Sequence, residues 1–252
     1  MGFLTLKDRT AIVTGAAQGI GYATAKMMVE NGMKVALVDM NGAKVEASAQ
    51  ELKALGGAEA FPLACDVSKM DAVEKMVKTV ADHFGQIDVV MNGAGILSAE
   101  EVWEIERADW DKILGVNLSG AFFVAQRAIP WLKKSKHPRI INLASVAGRM
   151  GGVGNSMSYA ASKGGMLAIT RGMARHLGPF HITVNAVCPG PTRTPIMDAY
   201  TEEQFANLKT RNVLGRIGES EDIAAGICYF ASEEACYTTG ATLDINGGFW
   251  MG

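Results

Sequence analysis

The sequence predicts a doubly wound α/β fold, a parallel sheet of about seven strands with helices on both faces. Three observations carry the prediction. Seven short, near-continuously apolar or β-branched runs recur along the 252 residues, as expected of strands covered on both faces. Segments of helical period separate most of them. A glycine-rich turn at residues 14–21 (TGAAQGIG) follows the first run and opens the first helical segment. Strand–helix alternation with right-handed crossovers leads to a sheet sandwiched between helix layers.

The runs lie at 11–13, 35–38, 60–64, 87–91, 139–143, 183–187 and 242–245. Ile20, Ala23, Ala25, Met27 and Met28 mark one helical face; Val73, Met76, Val77 and Val80 mark another. Ile113, Val116, Phe123, Val124 and Ile129 belong to a longer third. No repeat or linker divides the chain, so residues 1–252 read as one domain. The excursion 189–215 breaks the rhythm, with Pro189, Pro191 and Pro195 followed by Ile196, Met197, Tyr200 and Phe205. A long, partly apolar loop after a strand is expected to act as a lid over a bound substrate.

A formal charge of −2 gives no global attraction to nucleic acid or to an anionic membrane. No apolar stretch reaches the ~18 to 20 residues that cross a bilayer, and the opening residues carry no secretory pattern. The expected location is cytoplasmic. Cys65, Cys188, Cys228 and Cys236 are scattered without a C-x-x-C pair, which predicts free, buried thiols. His83, His137, His176 and His181 lack ligand spacing, so no protein metal site is expected.

In the turn, Gly15, Gly19 and Gly21 permit close approach of backbone to a ligand. The helix N-terminus beyond it offers free N–H groups to a pyrophosphate. The spacing is G-x-x-x-G-x-G rather than the common G-x-G-x-x-G dinucleotide fingerprint. Asp39 follows Gly21 by 18 residues, at the end of the second strand. A carboxylate there accepts ribose hydroxyls and repels a 2′-phosphate, and no Arg or Lys occupies positions 16–18. This predicts NAD rather than NADP. Asp66 and Val67, Asn92 to Gly95, Ser145, and Pro189 with Gly190 fall at further strand ends, the edge where such sheets bind ligands. Tyr159 and Lys163 stand four apart, on one face if the segment is helical. A nearby ammonium lowers a phenol's pKa from ~10 toward a range useful for proton transfer.

With Asn117 added, these residues make the chain resemble the short-chain dehydrogenase/reductase family from end to end. The resemblance implies a Rossmann-type fold and a catalytic set of Asn117, Ser145, Tyr159 and Lys163. It also implies that Gly15, Gln18, Gly19, Ile20, Gly21, Asp39, Asp66, Val67, Asn92, Gly95, Tyr159, Lys163, Pro189, Thr192 and Thr194 bind the cofactor. Thr192 and Thr194 would meet the nicotinamide carboxamide, and Asp66 and Val67 the adenine. Two departures stand out. The usual Asn-Asn-Ala-Gly reads Asn-Gly-Ala-Gly at 92–95, which is expected to loosen the fourth strand's end. Ser145 and Tyr159 are 14 residues apart where about 13 is commoner.

The implied reaction is reversible hydride transfer between a secondary alcohol or ketone and nicotinamide. Tyr159 moves the proton, Lys163 lowers its pKa, Ser145 donates to the substrate oxygen, and Asn117 holds a water that links Lys163 to solvent. The alternatives are a 3-oxoacyl-thioester (acyl-carrier-protein type) reductase, or a dehydrogenase of a small anionic or sugar-like hydroxy compound. Asp39 counts against the former, since reductases of that branch usually prefer NADPH. A non-enzymatic nucleotide sensor is disfavoured because all four catalytic positions are filled. Ile196, Met197, Tyr200 and Phe205, with Met150, Val153 and Met157, predict an apolar substrate site; Arg149, Arg193 and Arg211 are the residues that would suit an anion. A homotetramer is the expected assembly and a dimer the second choice.

Overall fold

The protein is described here by a computed structural model covering residues 4–97, 100–152, 157–198 and 200–252. Seven strands form one sheet: β1 Thr10–Thr14, β2 Lys34–Asp39, β3 Ala60–Ala64, β4 Val89–Asn92, β5 Arg139–Leu143, β6 Thr183–Pro189 and β7 Thr242–Ile245. They run parallel in the order β3-β2-β1-β4-β5-β6-β7. The order reverses between β1 and β4, so a crevice opens beyond their carboxyl ends.

Side-chain alternation assigns the two faces. Val13, Leu37, Met91 and Ile141 point into one core, under the helices α1 (Gly19–Glu30), α2 (Gly42–Ala54) and α9 (Ser220–Ala231). Ile12, Ala36, Val38, Val90 and Ile140 point into the other, under α3 (Met70–Phe84), α5 (Ala121–Leu132) and α7 (Met157–Leu177). All of these strand side chains are fully buried, so both faces are dry.

Between β4 and β5 the chain forms α4 (Arg107–Leu114), a π-helical stretch at Gly115–Gly120, and α5 without a break. The wider π turn rotates Asn117 into the interior. A short helix α6 (Ala147–Met150) follows β5, and α8 (Glu202–Arg211) lies within the 189–215 excursion, opened by a capping box between Thr201 and Gln204. Asp66 and Ser145 lie two residues beyond the ends of β3 and β5, on loops at the crevice. Of the cysteines, Cys65, Cys188 and Cys228 are buried free thiols; Cys236 is exposed, against expectation. Among the described residues no helix is long and apolar enough to cross a membrane, and no cluster of His, Cys, Asp or Glu is arranged to hold a metal.

Candidate active site

A cavity of about 750 Å³ occupies the crevice. One end is built by the glycine turn. Gly15 and Gly19 have φ of +69° and +57°, conformations that side chains other than glycine rarely adopt. A Cβ on Gly21 would lie 2.1 Å from the Gly15 carbonyl oxygen, so only glycine lets α1 start this close to β1. Gln18, the residue before α1, makes no side-chain cap, which leaves the first N–H groups of the helix open toward the cavity. The turn therefore fits a pyrophosphate.

The substitution of glycine at position 93 does not loosen β4. The Thr14 hydroxyl accepts hydrogen bonds from Gly93 N at 3.0 Å and Ala94 N at 3.2 Å. A Cβ on Gly93 would press within 2.7 Å of the Thr14 carbonyl oxygen. Glycine is what the close approach of these two strand ends requires.

Asp39 borders the cavity. Its carboxylate accepts from Ala17 N at 3.2 Å and Asn41 N at 3.0 Å, tying the glycine turn to the end of β2. Lys44 bears on this corner, though nothing near positions 16–18 signals it in the sequence: its ammonium donates to the Gln18 side-chain oxygen. Asp66 and Val67 form the adjacent wall, and hydrogen bonds from Ser68 hold the Asp66 carboxyl below its ordinary pKa.

At the other end the cavity is lined by Ser145, Tyr159 and Lys163. Tyr159 and Lys163 share one face of α7, as their spacing predicts, with the ammonium 5.6 Å from the phenol ring centre. The expected lowering of the phenol pKa by lysine is not what the protein's own groups produce. Burial pushes Tyr159 up; the hydrogen bond with Ser145 acts against this, while Cys188 and Tyr200 add to it. Lys163 is buried, donates to the Leu143 carbonyl at 2.6 Å, and is itself pushed down to about 8 by burial.

Two anticipated residues stand behind the wall. Asn117 is fully buried; its Oδ1 accepts from Ile96 N at 2.8 Å, and its Nδ2 donates to Ile96 O at 2.9 Å and Ser162 Oγ at 3.1 Å. The amide thus fixes the loop after β4 against α7. Asn92 does not reach the cavity: its Nδ2 donates to Asn142 Oδ1 at 2.9 Å, and Asn142 donates to Thr170, a buried polar chain inside the fold. Gly15, Gln18, Gly19, Ile20, Gly21, Asp39, Asp66, Val67, Gly95, Pro189, Thr192 and Thr194 all line it.

The excursion supplies Ile196, Met197, Tyr200 and Leu208 to the cavity, joined by Ile96, Leu97 and Val146. Sequence reasoning missed Leu208, Ile96, Leu97 and Val146, since nothing local marks them as facing a ligand. Phe205 packs against Tyr200 with the rings tilted and their centres 5.9 Å apart. Met150 and Met157 are exposed and do not line the cavity; Val153 lies outside the described residues. Nor do the three arginines reach it: Arg149 is paired with Asp244, Arg193 with Glu219, and Arg211 lies over the Phe249 ring.

A family model described as enoyl-(acyl carrier protein) reductase matches residues 15–250. The chain is 38% identical over 245 residues to the 3-oxoacyl-(acyl-carrier-protein) reductase FabG of Staphylococcus aureus, covering 96% of this chain and 98% of that protein. It is 34% identical to the protein of the same name from Vibrio cholerae, covering 98% and 100%. A short-chain dehydrogenase/reductase structure from Brucella melitensis superposes with a TM-score of 0.92 at 33% identity, covering 99% of both chains. One from Mycobacterium marinum superposes with a TM-score of 0.94 at 30% identity, covering 98% of both. The chain belongs to the short-chain dehydrogenase/reductase family of oxidoreductases.

Proposed function

We propose that the protein transfers a hydride between a nicotinamide dinucleotide and a ketone or secondary alcohol, and that the ketone is a 3-oxoacyl thioester or a close analogue. The observation that carries the reaction is the convergence of Ser145, Tyr159 and Lys163 at one end of the cavity whose other end holds the glycine turn. The thioester reading draws on the names of the relatives and on the apolar lining from Ile196, Met197, Tyr200 and Leu208, which suits an acyl chain. It replaces the simple alcohol as the leading substrate. NAD(H) remains the proposed cofactor because Asp39 occupies the ribose corner.

The dinucleotide, when bound, supplies or accepts the hydride. The α1 N-terminus would hold its pyrophosphate, and Asp39 would accept from ribose hydroxyls. In ketone reduction Tyr159 Oη gives its proton to the substrate oxygen, and in oxidation it takes one back. Ser145 donates a hydrogen bond to that oxygen as negative charge develops. Lys163, kept dry beside the phenol, favours the phenolate whenever it carries its charge. Asn117 and Ile96 hold the wall that positions Lys163. The excursion 189–215 closes over the acyl end as a lid, and the working assembly is a homotetramer, which light scattering checks.

The test is steady-state reduction of a 3-oxoacyl thioester against a simple ketone of matched chain length, with NADH and NADPH. The reading expects higher kcat/KM for the thioester. Equal or better efficiency with the plain ketone would return the simple alcohol dehydrogenase to first place.

A further inference from the structure

The helix α6 links the proposed reacting residues to a part of the fold that does not touch the cavity. Its first residue, Ala147, donates its N–H to Ser145 Oγ at 3.1 Å, and Gly148 N donates to Ser145 O at 3.0 Å. A Cβ on Gly148 would lie 2.6 Å from the Lys163 carbonyl carbon, so α6 is wedged against α7 beside that lysine. Whatever fixes the far end of α6 therefore sets where Ser145 sits relative to Tyr159 and Lys163.

The far end is held by Arg149. Its Nε and Nη2 donate to Asp244 Oδ1 and Oδ2 at 3.3 and 3.0 Å, a two-pronged ion pair. Only about a quarter of each side chain is exposed (23% and 24%), so solvent screens the pair less than a surface one. The guanidinium is covered by the Trp250 ring, 4.9 Å away, and Asn246 Nδ2 holds the Trp250 carbonyl at 2.9 Å. Asp244 lies in β7 directly opposite Cys188 of β6. The Cys188 thiol closes the circuit by donating to the Ser145 carbonyl at 3.5 Å, and burial raises it to about 11, so it stays protonated. Ser145, α6, Arg149, Asp244 and Cys188 thus form a ring of contacts, with Trp250 as its lid.

We propose that Arg149, clamped by Asp244 and Trp250, is a positioning residue that fixes the Ser145 hydroxyl against Tyr159. The inference rests on the reading of Ser145 and Tyr159 as the reacting pair. An arginine that would otherwise be read as an anion receptor is thereby assigned to holding α6. The groups acting on Tyr159 itself are Ser145, Cys188, Tyr200 and, across the ring, Lys163. Of Ser145, Cys188 and Tyr200, the Ser145 hydrogen bond is the one that lowers its pKa. Loosening α6 should weaken that bond.

The experiment compares Arg149→Lys, Asp244→Asn and the exchange Arg149→Asp with Asp244→Arg, alongside Tyr159→Phe. Readouts are kcat, KM for a 3-oxoacyl thioester, the NADH dissociation constant by fluorescence, melting temperature, and the pH profile of kcat/KM. Misplacing a reacting group by about 1 Å costs up to ~10²-fold, and a partial loosening is expected to lower kcat about tenfold in each single variant. NADH affinity should stay within about twofold, and the tyrosine limb of the pH profile should move upward; the exchange variant should recover part of both. Lysine cannot form the two-pronged pair but keeps charge and stem, so it supplies a folded variant if Asp244→Asn does not fold. Single variants with wild-type kcat and an unmoved pH limb overturn the proposal, as does a loss that follows melting temperature alone. Tyr159→Phe separates the two levels: if it abolishes turnover while the Arg149 variants are silent, only the clamp fails. If it retains turnover, the reading of the reacting pair fails and the clamp with it.

Discussion

Replacing Asp39 by asparagine probes the cofactor assignment at one atom. The carboxylate holds Ala17 N and Asn41 N, and asparagine keeps an acceptor for one of them while removing the charge. A 2′-phosphate on the adenosine ribose would sit against that charge. Two unit charges about 4 Å apart interact by ~1 kcal/mol in water and ~4 kcal/mol at an effective dielectric near 20. At 1.4 kcal/mol per factor of ten, the bounds are about fivefold and about 700-fold against NADP(H). Asp39 is half-buried, which favours the middle of that range, and the Lys44 ammonium at Gln18 offsets part of it. The expected wild-type preference for NAD(H) is therefore roughly tenfold to hundredfold in kcat/KM. Asp39→Asn should narrow it, and Lys44→Ala should widen it because the ammonium held at Gln18 is gone. The assay is kcat/KM for both cofactors at saturating ketone and two salt concentrations. Equal efficiency with NADP(H) in the wild type, or a preference that ignores both substitutions, would refute the electrostatic reasoning.

Tyr159→Phe should leave NADH binding intact and lower turnover ~10²–10⁴-fold, the usual weight of a positioned acid/base; binding is read by fluorescence and turnover by NADH oxidation. Gly21→Ala should destabilise the fold by ~1–3 kcal/mol through overpacking on the Gly15 carbonyl and weaken NADH binding in parallel; denaturant melts and a binding titration check both. Lys163 gives a pH prediction with a definite sign. Its folded pKa of about 8 lies below the ~10.4 of an ordinary lysine, so the unfolded chain binds more protons between those values, and this residue's penalty on stability is relieved as pH rises. Lys163→Met should be more stable than wild type near pH 7, with the gap in melting temperature closing toward pH 10.

The sheet was legible because burial on both faces writes each strand as a continuous apolar run. Seven runs became seven strands, with β3, β5 and β7 keeping the predicted ends and the others shifted by a residue or two. The glycine turn and the Tyr159–Lys163 pair were legible for a different reason: each is local, so a backbone need or a helical period fixes it within eight residues. Asn92 was misassigned because position along a strand does not settle which face a side chain takes. At β4 it turns inward to Asn142 rather than toward the cavity, and only strand parity and pairing in three dimensions decide that.

The contacts that were not legible join residues far apart in sequence. Lys44 reaches Gln18 across a strand, and Arg149 reaches Asp244, 95 residues further along the chain, and Trp250. Both change the chemistry inferred from sequence alone. Lys44 places a cation where none was expected, and Arg149 ceases to be a free anion receptor. The same holds for the tyrosine. Spacing alone puts an ammonium beside a phenol and predicts a lowered pKa, yet burial outweighs it in the folded site. A phenol in that state stays protonated at neutral pH. To act as the base in alcohol oxidation it needs further positive charge nearby, from Lys163 in its protonated form and from the oxidised nicotinamide ring. Burial thus sets the resting state of the phenol, and the positive charge beside it decides how readily it gives up its proton.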